Sequence, residues 1–267
     1  MNVMVELVKV LVFGDTVGSP GRKACCALIP KLRDENEVDF VVVNGENLAH
    51  GSSLTKDTAA ELFSHGVDVI TTGDHVFRKK EALPVIENHP NVLRPINYPK
   101  GTPGRGFALC TTRNGIKIAV INVLGRVFLQ ALDCPFETME SVLTLIRSQA
   151  KIILVDFHAE ATSEKVAMGW FLDGRVSAVY GTHTHIQTAD ETILPEGTAY
   201  ITELGMCGPY RSVIGRRIDQ VVHRFRTQMP GPMDVAEEDA RISGALIEIE
   251  AESGRARAIR RIHERLP

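Results

Sequence analysis

Apolar runs punctuate the chain at 8–13, 38–44, 67–72, 106–112, 116–122, 151–156 and 176–181. Each is long enough for a strand and too short for a helix. Stretches of helical character lie between several of them, at 22–36, 55–65, 136–148 and 162–172. Pro30 is placed to disturb the first of these helices, and Thr55 and Thr162 each offer an N-cap. The resulting β-α-β rhythm predicts an open α/β sheet. Two later segments, 198–203 and 242–262, alternate in the manner of strands, and the break at Ser253 and Gly254 suggests a hairpin. A second sheet packed on the first follows. The glycine- and proline-rich stretch 95–106 reads as an irregular loop, either bordering a ligand site or simply connecting two elements.

Five of the runs end in metal-binding residues: KVLVFGD (9–15), FVVVNGEN (40–47), VDVITTGDH (67–75), IILVDFH (152–158) and VSAVYGTHTH (176–185). Open sheets bind ligands beyond the carboxyl ends of their strands, so donors distant in sequence can meet there. In an extended segment residues i and i+2 point the same way, which would let His183 and His185 address one place. The candidate donors are Asp15, Glu46, Asn47, Asp74, His75, His158, His183 and His185. A tetrahedral site needs only about four ligands, whereas two bridged ions need about seven, so two metals are the economical expectation. Imidazole and oxygen donors without thiolate suit iron, manganese or zinc better than copper(I) or calcium, and two ions, iron in the first place with manganese or zinc as alternatives, are the expectation.

The strings FGDTVG (13–18), NGEN (44–47), GDH (73–75), DFHAEATSEK (156–165) and GTHTHIQTAD (181–190) resemble those of the YmdB-like family. This is a branch of the calcineurin-like metallophosphoesterases known as 2′,3′-cyclic-nucleotide phosphodiesterases. The similarity also takes in LRPINYP (93–99) and LGRVF (124–128) and runs from about residue 8 to the end of the chain. It implies a four-layer α/β/β/α sandwich with the metal site at the carboxyl ends of the strands. It also implies that Asp15, Glu46, Asn47 and His185 hold one ion, that Glu46, Asp74, His158 and His183 hold the other, and that His75 donates a proton to the leaving oxygen. Two positions depart from the family pattern. Asp74 stands where Asn is usual, adding a negative charge that favours a harder or more highly charged ion. Phe77 stands where Trp is common, a change in local packing or substrate stacking.

Composition constrains the remaining choices. The 267 residues, 44% hydrophobic and 24% charged, suit a single metallophosphoesterase domain spanning 1–267. A formal net charge of −3 gives no basic field of the kind a dedicated nucleic-acid binder needs, so RNA is left open without support from charge. The alternation of arginine with apolar residues over 255–265 reads as a strand's solvated face. Residues 1–7 carry a glutamate and run straight into the first strand, and no apolar stretch approaches the roughly 18 residues of a membrane span, which points to the cytoplasm. The five cysteines form no Cys-x-x-Cys pair and are expected reduced, with Cys207 structural or incidental.

The expected reaction is hydrolysis of a small 2′,3′-cyclic nucleotide by metal-bound hydroxide, the ribose oxygen leaving with a proton from His75. Other phosphoesters (phosphomonoesters, 3′,5′-cyclic nucleotides, RNA ends) and a metal-bound regulatory or RNA-associated role are the alternatives. A one-barrel amidohydrolase also uses His-x-His, but near its first strand rather than at position 183. The sequence leaves a homo-oligomer open.

Overall fold

The computed structural model describes residues 6–267, so the expectation for residues 1–7 falls mostly outside it. Two six-stranded sheets are stacked face to face. In the first, β1 (Leu7–Thr16), β2 (Phe40–Asn44) and β3 (Val69–Thr71) run parallel. Beyond β1 lie β10 (Met206–Pro209), β11 (Ala240–Glu250) and β12 (Ala256–Arg265), in the order β12-β11-β10-β1-β2-β3. The second comprises β4 (Phe107–Thr111), β5 (Lys117–Leu124), β6 (Ile152–His158), β7 (Ala178–Thr182), β8 (Thr192–Ile193) and β9 (Ala199–Ile201), ordered β4-β5-β6-β7-β9-β8. Strands β5, β6, β7 and β9 are parallel.

The side-chain alternation of the strands divides the core into three layers of apolar contact. Val8, Val10 and Val12 of β1 meet Ile118, Val120, Ile152 and Leu154 of the second sheet. Leu11 and Phe13, one residue out of phase, pack on Ala24, Cys25, Leu28 and Ile29 of α1 (Gly18–Glu35), where α2 (Lys56–Ser64) and α3 (Leu83–Asn88) join them. Ala119, Ile121 and Val123 of β5 pack on Met139 and Leu143 of α4 (Pro135–Ile146) and Met168 and Leu172 of α5 (Thr162–Leu172). The layers are therefore α/β/β/α, as the family resemblance implied.

Several expectations need correction. Helix α1 begins at Gly18 and continues through Pro30. Thr55 does cap α2, its Oγ1 accepting from Thr58 N at 3.3 Å while Thr55 N donates to Thr58 Oγ1 at 2.9 Å. Thr162 does not cap α5; Ala161 holds that position and Thr162 is the first helical residue. The loop over 95–106 is irregular as expected, and Arg94 binds it together by donating to the carbonyls of Pro95 (2.7 Å), Thr102 (3.2 Å) and Pro103 (3.2 Å). Three arginines of β12 are matched by carboxylates, Arg257 by Glu250, Arg261 by Glu191 and Arg265 by Asp239. All five cysteines are free, and Cys207 is buried. No helix among the described residues is long and apolar enough to cross a membrane.

Candidate metal centre

The five strand ends converge at one edge where the two sheets meet. Asp15 ends β1, Glu46 and Asn47 follow β2, and Asp74 and His75 follow β3, all from the first sheet. His158 ends β6, and His183 and His185 follow β7, from the second. One donor atom each from Glu46, Asp74, His158 and His183 lies within 4.8 Å of the others, a group able to hold a metal ion. His158 Nε2 is 3.3 Å from Glu46 Oε1 and 3.4 Å from Asp74 Oδ1. His183 Nδ1 is 3.1 Å from His158 Nε2 and 3.4 Å from Asp74 Oδ1. Four donors at about 2.1 Å around a tetrahedral cation stand about 3.4 Å apart, so this spacing is that of a coordination shell.

Two further observations fit an ion here. Asp74 Oδ1 is buried without a hydrogen-bond partner, a costly arrangement that a cation would relieve. Its Oδ2 accepts instead from Arg78 Nη2 at 3.1 Å. Gly73 keeps the cradle open: a Cβ there would sit 2.2 Å from His158 Nε2 and 2.4 Å from Glu46 Oε2.

Each of the three imidazoles ending in the cluster has its other nitrogen fixed from outside. His158 Nδ1 lies 2.8 Å from Thr182 Oγ1, His183 Nε2 lies 3.0 Å from Glu160 Oε2, and His185 Nδ1 lies 3.1 Å from the Ile214 carbonyl. Outer partners of this kind orient a metal-ligating histidine and set its tautomer. Asp15, Asn47 and His185 form the second half of the site. His185 Nε2 is 3.6 Å from Asp15 Oδ1, and Asn47 Nδ2 is 3.5 Å from Asp15 Oδ1 and 3.3 Å from Glu46 Oε1. Asn47 thus turns its amide nitrogen toward two bare carboxylates, while its Oδ1 sits 2.7 Å from His75 Nδ1. Ligation through oxygen requires that amide to turn over. His75 stands beside the four-donor group, its backbone N–H donating to Glu46 Oε2 at 3.0 Å.

The histidine pair reaches the site by a different route from the one its spacing suggests. His183 and His185 lie beyond β7 rather than on it, and both have left-handed backbone, φ 101° and 66°. Strained residues of this sort persist only where their surroundings hold them. Asp15 Oδ2 accepts from His183 N at 2.9 Å, and Glu203 Oε2 accepts from Thr184 N at 3.1 Å and Thr184 Oγ1 at 2.8 Å. Glu203 is itself paired with buried Lys165 at 2.6 Å. Neither Lys165 nor Glu203 was singled out in the sequence; a lysine on the buried face of α5 was the available signal. Asp156 was also missed. It lies under His158, accepting from Thr71 Oγ1, from Thr182 Oγ1 at 2.6 Å and from Asn44 Nδ2 at 3.2 Å.

The electrostatics are set by burial competing with the imidazoles. Burial pushes Asp15 up, but the hydrogen bond and charge of His185, with the charge of His158, hold it well below the usual carboxylate range. Burial likewise opposes the ionisation of Glu46 and Asp74, and His158 and His75 hold both below their ordinary values. Burial presses His158 down, yet the charge of Glu46 and the adjacent Asp74 carboxylate raise it well above a normal imidazole. His75 is lowered by burial, with Glu46 and Asp74 opposing. Asp156, buried with less compensation, is pushed up to about 6.

The model of the YmdB-like protein family matches residues 11–262. The chain belongs to the YmdB-like family. It is 46% identical over 254 residues to a Bacillus subtilis protein named 2′,3′-cyclic-nucleotide 2′-phosphodiesterase, covering 95% of this chain and 96% of that one. Among solved structures, this YmdB-like chain is similar to a hypothetical protein from Thermus thermophilus, with TM-score 0.90 and 40% identity over 97% of this chain and 100% of the other. It is also similar to a Mycoplasma pneumoniae protein described as a novel phosphatase, with TM-score 0.91 and 31% identity over 98% and 95% of the two chains.

Proposed function

We propose that this YmdB-like chain, as one domain, is a metal-dependent phosphodiesterase that opens 2′,3′-cyclic nucleotides to nucleoside monophosphates. The observation that carries the reading is the pair of imidazoles His158 and His183, each fixed through its outer nitrogen, which stand with ionised Glu46 around the buried, unpartnered Asp74 Oδ1. The Bacillus subtilis relative supplies the substrate class.

Glu46, Asp74, His158 and His183 would hold one cation, and Asp15, Asn47 and His185, sharing Glu46, a second. The donor set contains no thiolate and suits iron, manganese or zinc; iron is the cation we propose. When bound, the ions would lower the pKa of water, furnish the nucleophile and neutralise charge on the phosphoryl oxygens. Turning the Asn47 amide serves two purposes at once. Its oxygen would face Asp15 and Glu46, and its Nδ2–H would donate to His75 Nδ1, leaving the His75 proton on Nε2. From Nε2 that proton passes to the ribose oxygen as its bond to phosphorus breaks, so the product leaves as a hydroxyl and a phosphomonoester. The five free thiols accord with a cytoplasmic setting.

The test is hydrolysis of adenosine 2′,3′-cyclic phosphate by purified protein whose metal content is measured on the same sample, with chelated protein as control. Two ions per chain and chelator-sensitive release of one monophosphate are expected. A fully loaded protein that leaves the cyclic nucleotide intact would refute the proposal.

A further inference from the structure

The finger between β5 and α4 is anchored with unusual care for a segment that ends in an exposed aromatic. Buried Asn97 donates to the carbonyls of Leu124 (2.8 Å) and Asp133 (3.1 Å), tying both of its ends. Glu164, also buried, accepts from two successive backbone N–H groups, Arg126 at 3.0 Å and Val127 at 3.3 Å. Gly125 is needed for this, because a Cβ would lie 2.5 Å from Glu164 Oε2. Above this base Phe128 is 88% exposed and has φ 62°, a left-handed conformation strained for an aromatic residue.

The finger also touches the metal-site segment. Gln130 Nε2 donates to the Asp74 carbonyl at 3.4 Å and to Tyr98 Oη at 3.2 Å. Phe128 is two residues from Gln130, so their Cα atoms are no more than about 7 Å apart. Tyr98 in turn makes an edge-to-face contact with Phe77, centroids 5.5 Å apart. A rigidly footed loop therefore carries an exposed aromatic ring two residues from the side chain that joins it to the backbone of Asp74. An aromatic face offered to solvent near a centre that takes a phosphate ester is the element on which nucleobases stack.

We propose that Phe128 is the platform on which the nucleobase of the substrate stacks; the inference rests on the cyclic-nucleotide reading of the metal centre. Stacking needs only a π-face, so Phe128 selects base-bearing phosphates over base-free ones and discriminates weakly among bases. Asn97 and Glu164 act through it, as positioning residues.

The experiment is isothermal titration of metal-loaded protein with adenosine 3′-monophosphate and, separately, inorganic phosphate, for the wild type, Phe128→Ala and Phe128→Trp. Phe128→Ala is expected to weaken the nucleotide about tenfold, equivalent to about 1.4 kcal/mol, while phosphate affinity stays within a factor of two. Phe128→Trp is expected to retain wild-type affinity for both. Equal loss of nucleotide and phosphate, unchanged nucleotide affinity in Phe128→Ala, or no nucleotide binding to the wild type would overturn the proposal. So would altered sedimentation with unaltered nucleotide affinity, which would assign Phe128 to a contact between copies. If the wild type binds the monophosphate with this dependence on Phe128 but hydrolyses no cyclic nucleotide, the phosphodiesterase reading fails and the stacking site stands.

Discussion

Lys165→Met and Glu203→Gln probe whether the His183–His185 loop is held from beneath by a buried ion pair. The Lys165 and Glu203 side chains are 2% and 1% exposed, with Nζ 2.6 Å from Oε2. Removing one member of such a pair strands the other charge and costs about 3–5 kcal/mol. The two single variants are not equivalent. Without Lys165, Glu203 keeps donors from Thr184 N, Thr184 Oγ1 and Gly205 N, so Lys165→Met should fall near about 3 kcal/mol. In Glu203→Gln, Lys165 keeps an amide oxygen and Thr184 Oγ1 at 3.4 Å but loses its counter-charge, and the variant should approach about 5 kcal/mol. The double variant removes both charges and should cost less than either single change, a coupling of at least about 5 kcal/mol. Urea unfolding of the metal-free variants measures these values. In parallel, loosening the loop should weaken metal binding by about 10- to 100-fold in each single variant, read by metal titration. Single costs below about 1 kcal/mol, or costs that simply add, would refute the reasoning.

The division of labour at the site makes a sharper contrast: His75→Ala should keep both ions and lose about 10²- to 10⁴-fold in turnover, whereas His183→Ala should lose metal, and equal metal loss in both would undo the assignment. Asp74→Asn should remain loaded, since an amide oxygen also ligates, but should shift preference away from the more highly charged ion. Competition between iron and manganese reads this, and loss of all metal would contradict it. Its partner Arg78 is largely exposed, so the broken pair should change stability by less than about 1 kcal/mol. Asp156 gives a pH signature. Its folded pKa, about 6, lies above the roughly 3.9 of an unfolded chain, so between these values the folded state binds more protons. Metal-free protein should therefore lose about 3 kcal/mol of stability from this group as pH rises through that window, and Asp156→Asn should flatten the slope. Identical pH slopes of unfolding midpoint for the variant and wild type would contradict this.

The strands that end in candidate ligands were legible because an apolar run ending in Asp, Glu or His states both its own conformation and its chemistry. The strand pattern pointed to a second sheet, but the four-layer order was legible only through family resemblance, since periodicity does not say which sheet a strand joins: 198–203 contributes β9 to the second sheet, whereas 242–262 forms β11 and β12 of the first. Strand β10 escaped notice because its four residues include Gly208 and Pro209, which read as turn. Helix α6 (Ile218–Thr227) was missed although Ile218, Val221, Val222 and Phe225 recur at i, i+3, i+4 and i+7; of these only Val221 is buried. The reason given for pairing His183 with His185 does not hold: i,i+2 spacing aims side chains together only on a strand, and both residues lie beyond β7 with left-handed backbone. Lys165, Glu203 and Asp156 were invisible because a charge inside the protein looks, in sequence, like a charge on its surface.

Because Glu46 belongs to one sheet and His158 to the other, the centre is a clasp across a seam rather than a pocket within one layer. No length of chain that stops before β7 contains it, and none of its halves is a binding site alone. Cation capture should therefore come late in folding, after both sheets have formed and docked, and should leave the early steps untouched. The same clasp would slow opening of that edge in the finished protein, so a loaded molecule should survive protease longer than its stability in urea alone would suggest. For a cell short of the right ion, the chain would fold but stay unlatched, and supply of metal would set how long it lasts as well as whether it works.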